Sequence, residues 1–249
     1  MPAPQTPSDE LITVRDWLRY AVSRFNAEEL VYGHGTATAL DEAAYLILHT
    51  LHLPIDELDP WLEARLLGSE RQALREIIEA RIETRKPAPY LTHEAWIGGH
   101  SFYVDERVIV PRSYIGEILT QQLAAAAGEW HLGPNPGPVG TILDLCTGSG
   151  CLAVLAALAF PQALVDASDI SIDALAVAAR NVADYRLEEH IALSQSDLFQ
   201  AHAGRRYDLI LANPPYVAAA ALAAFPPEYA AEPLIAHAGG VDGLDVVRR

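Results

Sequence analysis

An apolar run that stops in glycines and restarts at once as an apolar helix is the most restrictive pattern in the chain. Thr141 to Cys146 reads as a short strand, Thr147-Gly148-Ser149-Gly150 as a turn, and Cys151 to Phe160 as a helix. The alternation then continues. Leu164 to Ser168 is strand-like and closed by Asp169, and Ile172 to Asp184 is helical. His190 to Ser194 reads as a third strand leading into Ser196-Asp197-Leu198-Phe199, and Tyr207 to Ala212 as a fourth. Strands alternating with helices imply an α/β fold with a parallel sheet and right-handed crossovers. Ligands in such folds sit beyond the carboxyl ends of the strands.

The first strand-to-helix turn is therefore the candidate cofactor loop. Glycine lets the backbone approach a ligand closely, and the following helix N-terminus favours negative charge. Gly148 and Gly150 lack the lysine and hydroxyl residue of a phosphate-binding loop. Asp169 stands 21 residues after Gly148, at the second strand end, where a carboxylate can hold two ribose hydroxyls. That spacing fits a nicotinamide cofactor and S-adenosyl-L-methionine equally. Asp197, after strand three, can accept a hydrogen bond from an adenine amine or serve only as a turn residue.

Asn213-Pro214-Pro215-Tyr216, directly after strand four, separates those two readings. Two prolines fix φ near −65° and push the residue before each into an extended conformation. The Asn213 side chain and the Pro214 carbonyl can then present two acceptors to one NH2 group, with the Tyr216 ring as a flat neighbour. Dehydrogenases need no such grip; a methyltransferase acting on an amide or arylamine does. An amide nitrogen is a poor nucleophile, so holding both of its N–H groups would face its lone pair toward a methyl donor. The same contacts would stabilise positive charge growing on nitrogen.

The N-terminal part is different. Glu10 to Phe25 carries Leu11, Val14, Leu18, Ala21, Val22 and Phe25 at helical spacing. Asp41 is positioned to cap a second helix with Ala44, Tyr45, Leu48 and Leu51 on one stripe. A third runs from Ser69 to about Arg85, with Leu74, Ile77, Ile78 and Ile82 inward. Residues 1–89 thus read as a helical domain, packed for its own sake or serving as a substrate-docking arm. Residues 90–111 form a β-hairpin linker around Gly98-Gly99, and 112–249 the α/β domain. Within 112–249, Tyr114 to Ala127 is helix-like, and Gly128 to Gly140, with its three prolines, is a loop.

Composition narrows the setting. No apolar run is long enough for a transmembrane helix, and Met1 to Glu10 lacks the apolar core of a signal peptide. The two cysteines, Cys146 and Cys151, fall in one motif, which argues for a reducing cytoplasm and against a disulfide framework. No Cys/His spacing suits a metal. A net charge of −16 disfavours nucleic acid and favours a basic partner.

Together, Asp144 to Cys151, Asp169 and Asn213 to Tyr216 resemble the protein glutamine methyltransferases. That family combines a helical N-terminal domain, a hairpin and a Rossmann-like domain that uses S-adenosyl-L-methionine. The resemblance spans nearly the whole chain. Thr13 to Phe25, Gly33-His34-Gly35, Tyr90 to Trp96 and Val104 to Ser113 are similar to the branch that modifies the large-subunit ribosomal protein L-three. Cys146, where the release-factor branch usually has glycine, points the same way. The resemblance implies that Cys146, Thr147, Gly148, Ser149 and Gly150 line the cofactor's methionine part and that Asp144 belongs to the cofactor site. By the same likeness Asp169 holds the ribose, Asp197 and Leu198 border the adenine, and Asn213 also touches the cofactor. Asn213, Pro214, Pro215 and Tyr216 receive the glutamine, with Asn213, Pro214 and Tyr216 catalytic. Gly239-Gly240-Val241-Asp242-Gly243-Leu244 matches a family segment and reads as a turn opening a helix.

Against the family's seven-stranded sheet, a chain ending at Arg249 is expected to lack three strands and to leave strand four as an open edge. Rival readings are glutamine methylation of release factors, an adenine-N6 nucleic-acid methyltransferase, and a non-catalytic cofactor-binding module.

Overall fold

The computed structural model describes residues 10–125, 129–130 and 137–249. The polar segment 1–9 and most of the proline-bearing loop expected over 128–140 lie outside the described residues. The chain divides into two compact units. One is Met1–Thr92 with Pro226–Ala231; the other is His93–Phe225 with Glu232–Arg249.

In the first unit, helices α1 (Val14–Ala27), α2 (Ala39–Thr50) and α3 (Gly68–Thr84) are followed by a short α4 (Ala88–Thr92). The apolar spacing alone begins α1 at Glu10, but its N-terminus is fixed at Thr13. The Thr13 hydroxyl accepts from the Asp16 amide, and Asp16 accepts from the Thr13 amide in return. Trp17 joins Val14, Ala21 and Phe25 in the core, with Leu18 and Val22 at its margin. Helix α2 is capped by Thr38, three residues before the expected Asp41, whose amide donates to the Thr38 hydroxyl. Because α2 packs on both α1 and α3, its buried arc is wide. Ala43, Leu46 and Ile47 fill it with Leu48, while Ala44 and Tyr45 are only half-buried.

An ionic cluster lies inside this apolar unit. Arg81, wholly buried on α3, donates to Glu42 Oε1 at 2.7 Å and to the Val31 carbonyl at 3.1 Å. Glu228, also wholly buried, accepts from the Val31 amide at 3.1 Å and from Arg85 at 3.0 Å, with Arg81 4.0 Å away. Burial pushes the Glu42 carboxyl up against the pull of Arg81. Burial also acts on Glu228, but the Val31 amide, Arg85 and Arg81 outweigh it and hold its carboxyl below the ordinary value.

The second unit opens with the hairpin β1 (Glu94–Ile97) and β2 (His100–Tyr103). Gly98 and Gly99 turn it, both at positive φ. A Cβ on Gly98 would lie 2.1 Å from the Thr120 hydroxyl, so the turn packs flush on helix α5 (Tyr114–Ala125). Two-residue strands β3 (Glu129–Trp130) and β4 (Gly137–Pro138) pair with each other.

The main sheet contains β5 (Thr141–Leu145), β6 (Leu164–Asp169), β7 (Ile191–Gln195) and β8 (Leu209–Ala212), all parallel, in the order β7-β6-β5-β8. Helices α6 (Cys151–Ala159) and α7 (Ile172–Asp184) supply the crossovers, and a four-residue α8 (Ala219–Leu222) follows β8. Helix α6 is apolar all round and correspondingly buried. Residues Ile142 to Leu145 of β5 are all buried, whereas β7 and β8 alternate and leave Ile210 half exposed. The centre of the sheet is thus β5, with β8 an edge strand among the described residues. The order places a switch point between β5 and β8, where doubly wound sheets bind ligands.

Replacing Arg81 by Met leaves the buried Glu42 carboxylate without its ion-pair partner, while Glu228 keeps Arg85 and the Val31 amide. The expected loss is about 3–5 kcal/mol of stability. Arg15→Met removes only a solvent-exposed pair with Glu63 and costs less than about 1 kcal/mol. Denaturant unfolding of both variants checks the contrast.

Candidate functional site

Register decides which residues meet. Leu145 pairs with Ser168 on one side and Ala212 on the other, and Asp169 pairs with Gln195. The segments that follow these residues leave the sheet at one end. Cys146–Gly150, Asp169, Asp197–Leu198 and Asn213–Tyr216 therefore all sit at the carboxyl edge.

The glycine loop is fixed from beneath. Asp144, completely buried in β5, accepts the Thr147 hydroxyl at 2.5 Å, and its second oxygen has no hydrogen-bond partner among the described residues. Burial pushes its carboxyl up to about 7, against the Thr147 bond and with the charge of Asp169 adding to the rise. Asp169 ties the loop sideways: one oxygen accepts the Gly148 amide and the other the Ser171 amide, both at 2.9 Å. Each of those oxygens keeps a further lone pair for a ligand.

Gly148 and Gly150 take positive φ for different reasons. A Cβ on Gly148 would meet nothing within 4 Å, so the loop faces open space there. A Cβ on Gly150 would be 3.0 Å from Ala178, so α7 crosses directly over it. Cys146 also has positive φ, at 57°, a conformation in which glycine is the unstrained residue. Its thiol is pushed up to about 12 by burial and by Asp169, Asp144 and Asp197, so it stays protonated and is no nucleophile. Leu198, likewise at positive φ, has its carbonyl bonded to the Ser196 hydroxyl. Asp197 accepts from Arg249 at 2.5 Å.

On the other side of the switch point, Asn213, Pro214 and Pro215 are half-buried and Tyr216 is 62% exposed. The Asn213 carboxamide is not engaged by any hydrogen bond among the described residues. The chain after Tyr216 runs beside residues 237–240, with Val217 and Ala238 forming a parallel bridge. Glu232, fully buried, accepts both Arg112 guanidinium nitrogens at 2.7 Å and the Val110 amide at 3.0 Å. It also lies 2.9 Å from His237 Nε2.

Asn181 is a site residue that the sequence pattern does not single out. From the buried face of α7 its carboxamide donates to the Ser149 carbonyl at 2.8 Å and the Tyr103 carbonyl at 3.0 Å, and accepts from the Tyr103 amide at 2.7 Å. It joins the glycine loop to the hairpin. Its one signal in the sequence is a polar side chain in the apolar stripe of Ala174, Leu175, Val177, Ala178 and Val182. Among the described residues no cluster of His, Cys, Asp and Glu could hold a metal, and no helix is long and apolar enough to cross a membrane.

Because Asp144 holds its proton more tightly in the folded than in the unfolded chain, stability falls as pH rises from about 4 to about 7 and stays lower above that. Asp144→Asn keeps an oxygen for Thr147 and removes the effect. The two proteins are expected to melt together near pH 4 and, at pH 8, the variant about 10 °C higher. Thermal melting across pH reads this directly.

Residues 130–239 match the family model described as "Methyltransferase small domain". The ribosomal protein uL3 glutamine methyltransferase of Bordetella pertussis is 56% identical over 240 residues, covering 96% of this chain and 78% of that protein. The protein of the same name from Burkholderia pseudomallei is 55% identical over 244 residues, covering 95% and 78%. That of Neisseria gonorrhoeae is 52% identical over 242 residues, covering 97% and 79%.

Proposed function

The chain belongs to the ribosomal protein uL3 glutamine methyltransferase family, and we propose that it methylates the side-chain amide nitrogen of a glutamine in uL3. S-adenosyl-L-methionine would supply the methyl group, bound as a sulfonium. The observation that carries the reading is the β5–β8 register, which sets the glycine loop and Asn213–Tyr216 side by side at one sheet end.

The residues present fit that cofactor. The Cys146–Gly150 loop offers an open face at Gly148 and an uncharged, protonated thiol at Cys146, compatible with a sulfonium's methionine part. Asp169, fixed by two backbone amides, would hold the ribose hydroxyls. Asp197 and Leu198 would border the adenine. Asp144 would act from below by setting the loop through Thr147.

For the acceptor, Asn213 Oδ1 and the Pro214 carbonyl would accept the two amide protons, and the two prolines keep that pair from relaxing. The grip orients the nitrogen lone pair and stabilises the positive charge that grows on it. Tyr216 would pack against the planar amide, and Pro215 would fix the turn between them. No strong base is required, because the methylated nitrogen loses its proton readily. A chain of net charge −16 suits a basic ribosomal protein. The helical domain, residues 1–89, is the substrate-docking part in this reading.

Transfer of labelled methyl groups to purified uL3, a release factor and ribosomal RNA tests the assignment. Label on uL3 alone is expected; label on the release factor or the RNA alone rejects it. Asn213→Ala should lower transfer at least ~100-fold with cofactor affinity unchanged. Asp169→Ala should weaken cofactor binding by calorimetry at least ~10-fold. Equal loss of both properties in Asn213→Ala would remove the proposed division of labour.

A further inference from the structure

Gly239 to Leu244 does not open a helix: the residues after it, through Arg249, form only turns. Its backbone forms a ladder with the segment that leaves the acceptor loop. The Val217 amide donates to the His237 carbonyl at 2.8 Å, the Gly239 amide to the Val217 carbonyl at 2.9 Å, and the Ala219 amide to the Gly240 carbonyl at 2.9 Å. The turn closes on itself through the Asp245 amide and the Gly239 carbonyl, also 2.9 Å apart.

Two of its glycines lie against Tyr216 itself. A Cβ on Gly239 would stand 2.8 Å from Tyr216 Cα and 2.5 Å from the Gly243 carbonyl oxygen. A Cβ on Gly243 would stand 2.4 Å from the Tyr216 carbonyl oxygen, at a φ of +84° that already disfavours a side chain. Every atom met is backbone, so no rotamer change relieves the clash. Gly240 differs: the nearest atoms its Cβ would meet belong to the Asp245 side chain.

We propose that Gly239 and Gly243 are positioning residues for methyl transfer: by lacking side chains they let the 239–243 turn seat the backbone of Tyr216, and so set where Asn213–Tyr216 holds the acceptor amide. The inference rests on the reading of Asn213–Tyr216 as the acceptor loop. A seat of this kind matters because an error of about 1 Å in a reacting group can cost ~100-fold in rate. The Glu232 contacts with Arg112 and His237 hold the start of the same segment. The loop is thereby braced after Tyr216 by backbone pairing and before the turn by the ion pair of buried Glu232 with Arg112.

The test uses the full chain with Gly239→Ala, Gly243→Ala and, as a control, Val241→Ala, whose side chain is 87% exposed. Single-turnover transfer to uL3, S-adenosylhomocysteine affinity by calorimetry and hydrogen exchange at the Val217 and Ala219 amides are measured together. Both glycine variants are expected to transfer at least ~100-fold more slowly and to exchange those amides at least ~10-fold faster, with ligand affinity within about twofold of the parent. Val241→Ala should match the parent. Transfer and exchange at parent level in the glycine variants overturn the inference, as does ligand affinity that falls in step with transfer. A parent that transfers no methyl group overturns the acceptor reading beneath it; an active parent with active glycine variants overturns the inference alone. Should Gly243→Ala fail to fold, Gly239→Ala carries the test, since Gly239 is outside the left-handed region.

Discussion

The parallel pairing of β5 with β8 is the interaction on which the site depends. One loop is a glycine turn, the other a proline-stiffened exit. Pairing Leu145 with Ala212 makes them neighbours and fixes their offset to within a residue. A slip of one residue would also turn Leu211 out of the core and Ile210 into it, so hydrophobic burial enforces the register the chemistry needs. Burial is deepest in β5, the strand that leads into the glycine loop. The Asn213–Tyr216 loop leaves β8, an edge strand among the described residues, and is supported from elsewhere. It finds that support in the 237–240 ladder and in Glu232.

Much of this is legible in the sequence because the signals are local. A run such as Thr141 to Leu145 followed by Gly148 and Gly150 has one reading whatever surrounds it. Asp169 announces itself by position at a strand end, and Asn213–Tyr216 by two prolines with no folding purpose. The family resemblance read from those motifs agrees with the relatives found. Element ends are less legible where capping competes with apolar spacing, as at Thr13 and Thr38.

The missed residues share a different property: their partners are far away in sequence. Asn181 looks like a polar blemish on an apolar helix until Ser149 and Tyr103 are brought to it. Glu232 is one acidic residue among many until Arg112 and Val110 close around it. Glu228 and Arg81 are unremarkable charges whose burial no local pattern announces. The glycines at 239 and 243 signal a turn, but what the turn leans on is set by tertiary structure. The carboxylates also show how charge is used: burial under the loop pushes Asp144 up to about 7, while Asp169 is held by backbone amides at its rim.

The claim at the centre of this account is chemical: the acceptor atom is a glutamine side-chain nitrogen, gripped by Asn213 and Pro214. Peptide mass mapping of uL3 after incubation with the protein and S-adenosyl-L-methionine tests it most directly, with fragmentation to place the methyl group. The account predicts a single methyl group on the side-chain nitrogen of one glutamine. A methyl group on lysine, arginine or a carboxylate, or none on uL3 while RNA is methylated, would contradict it.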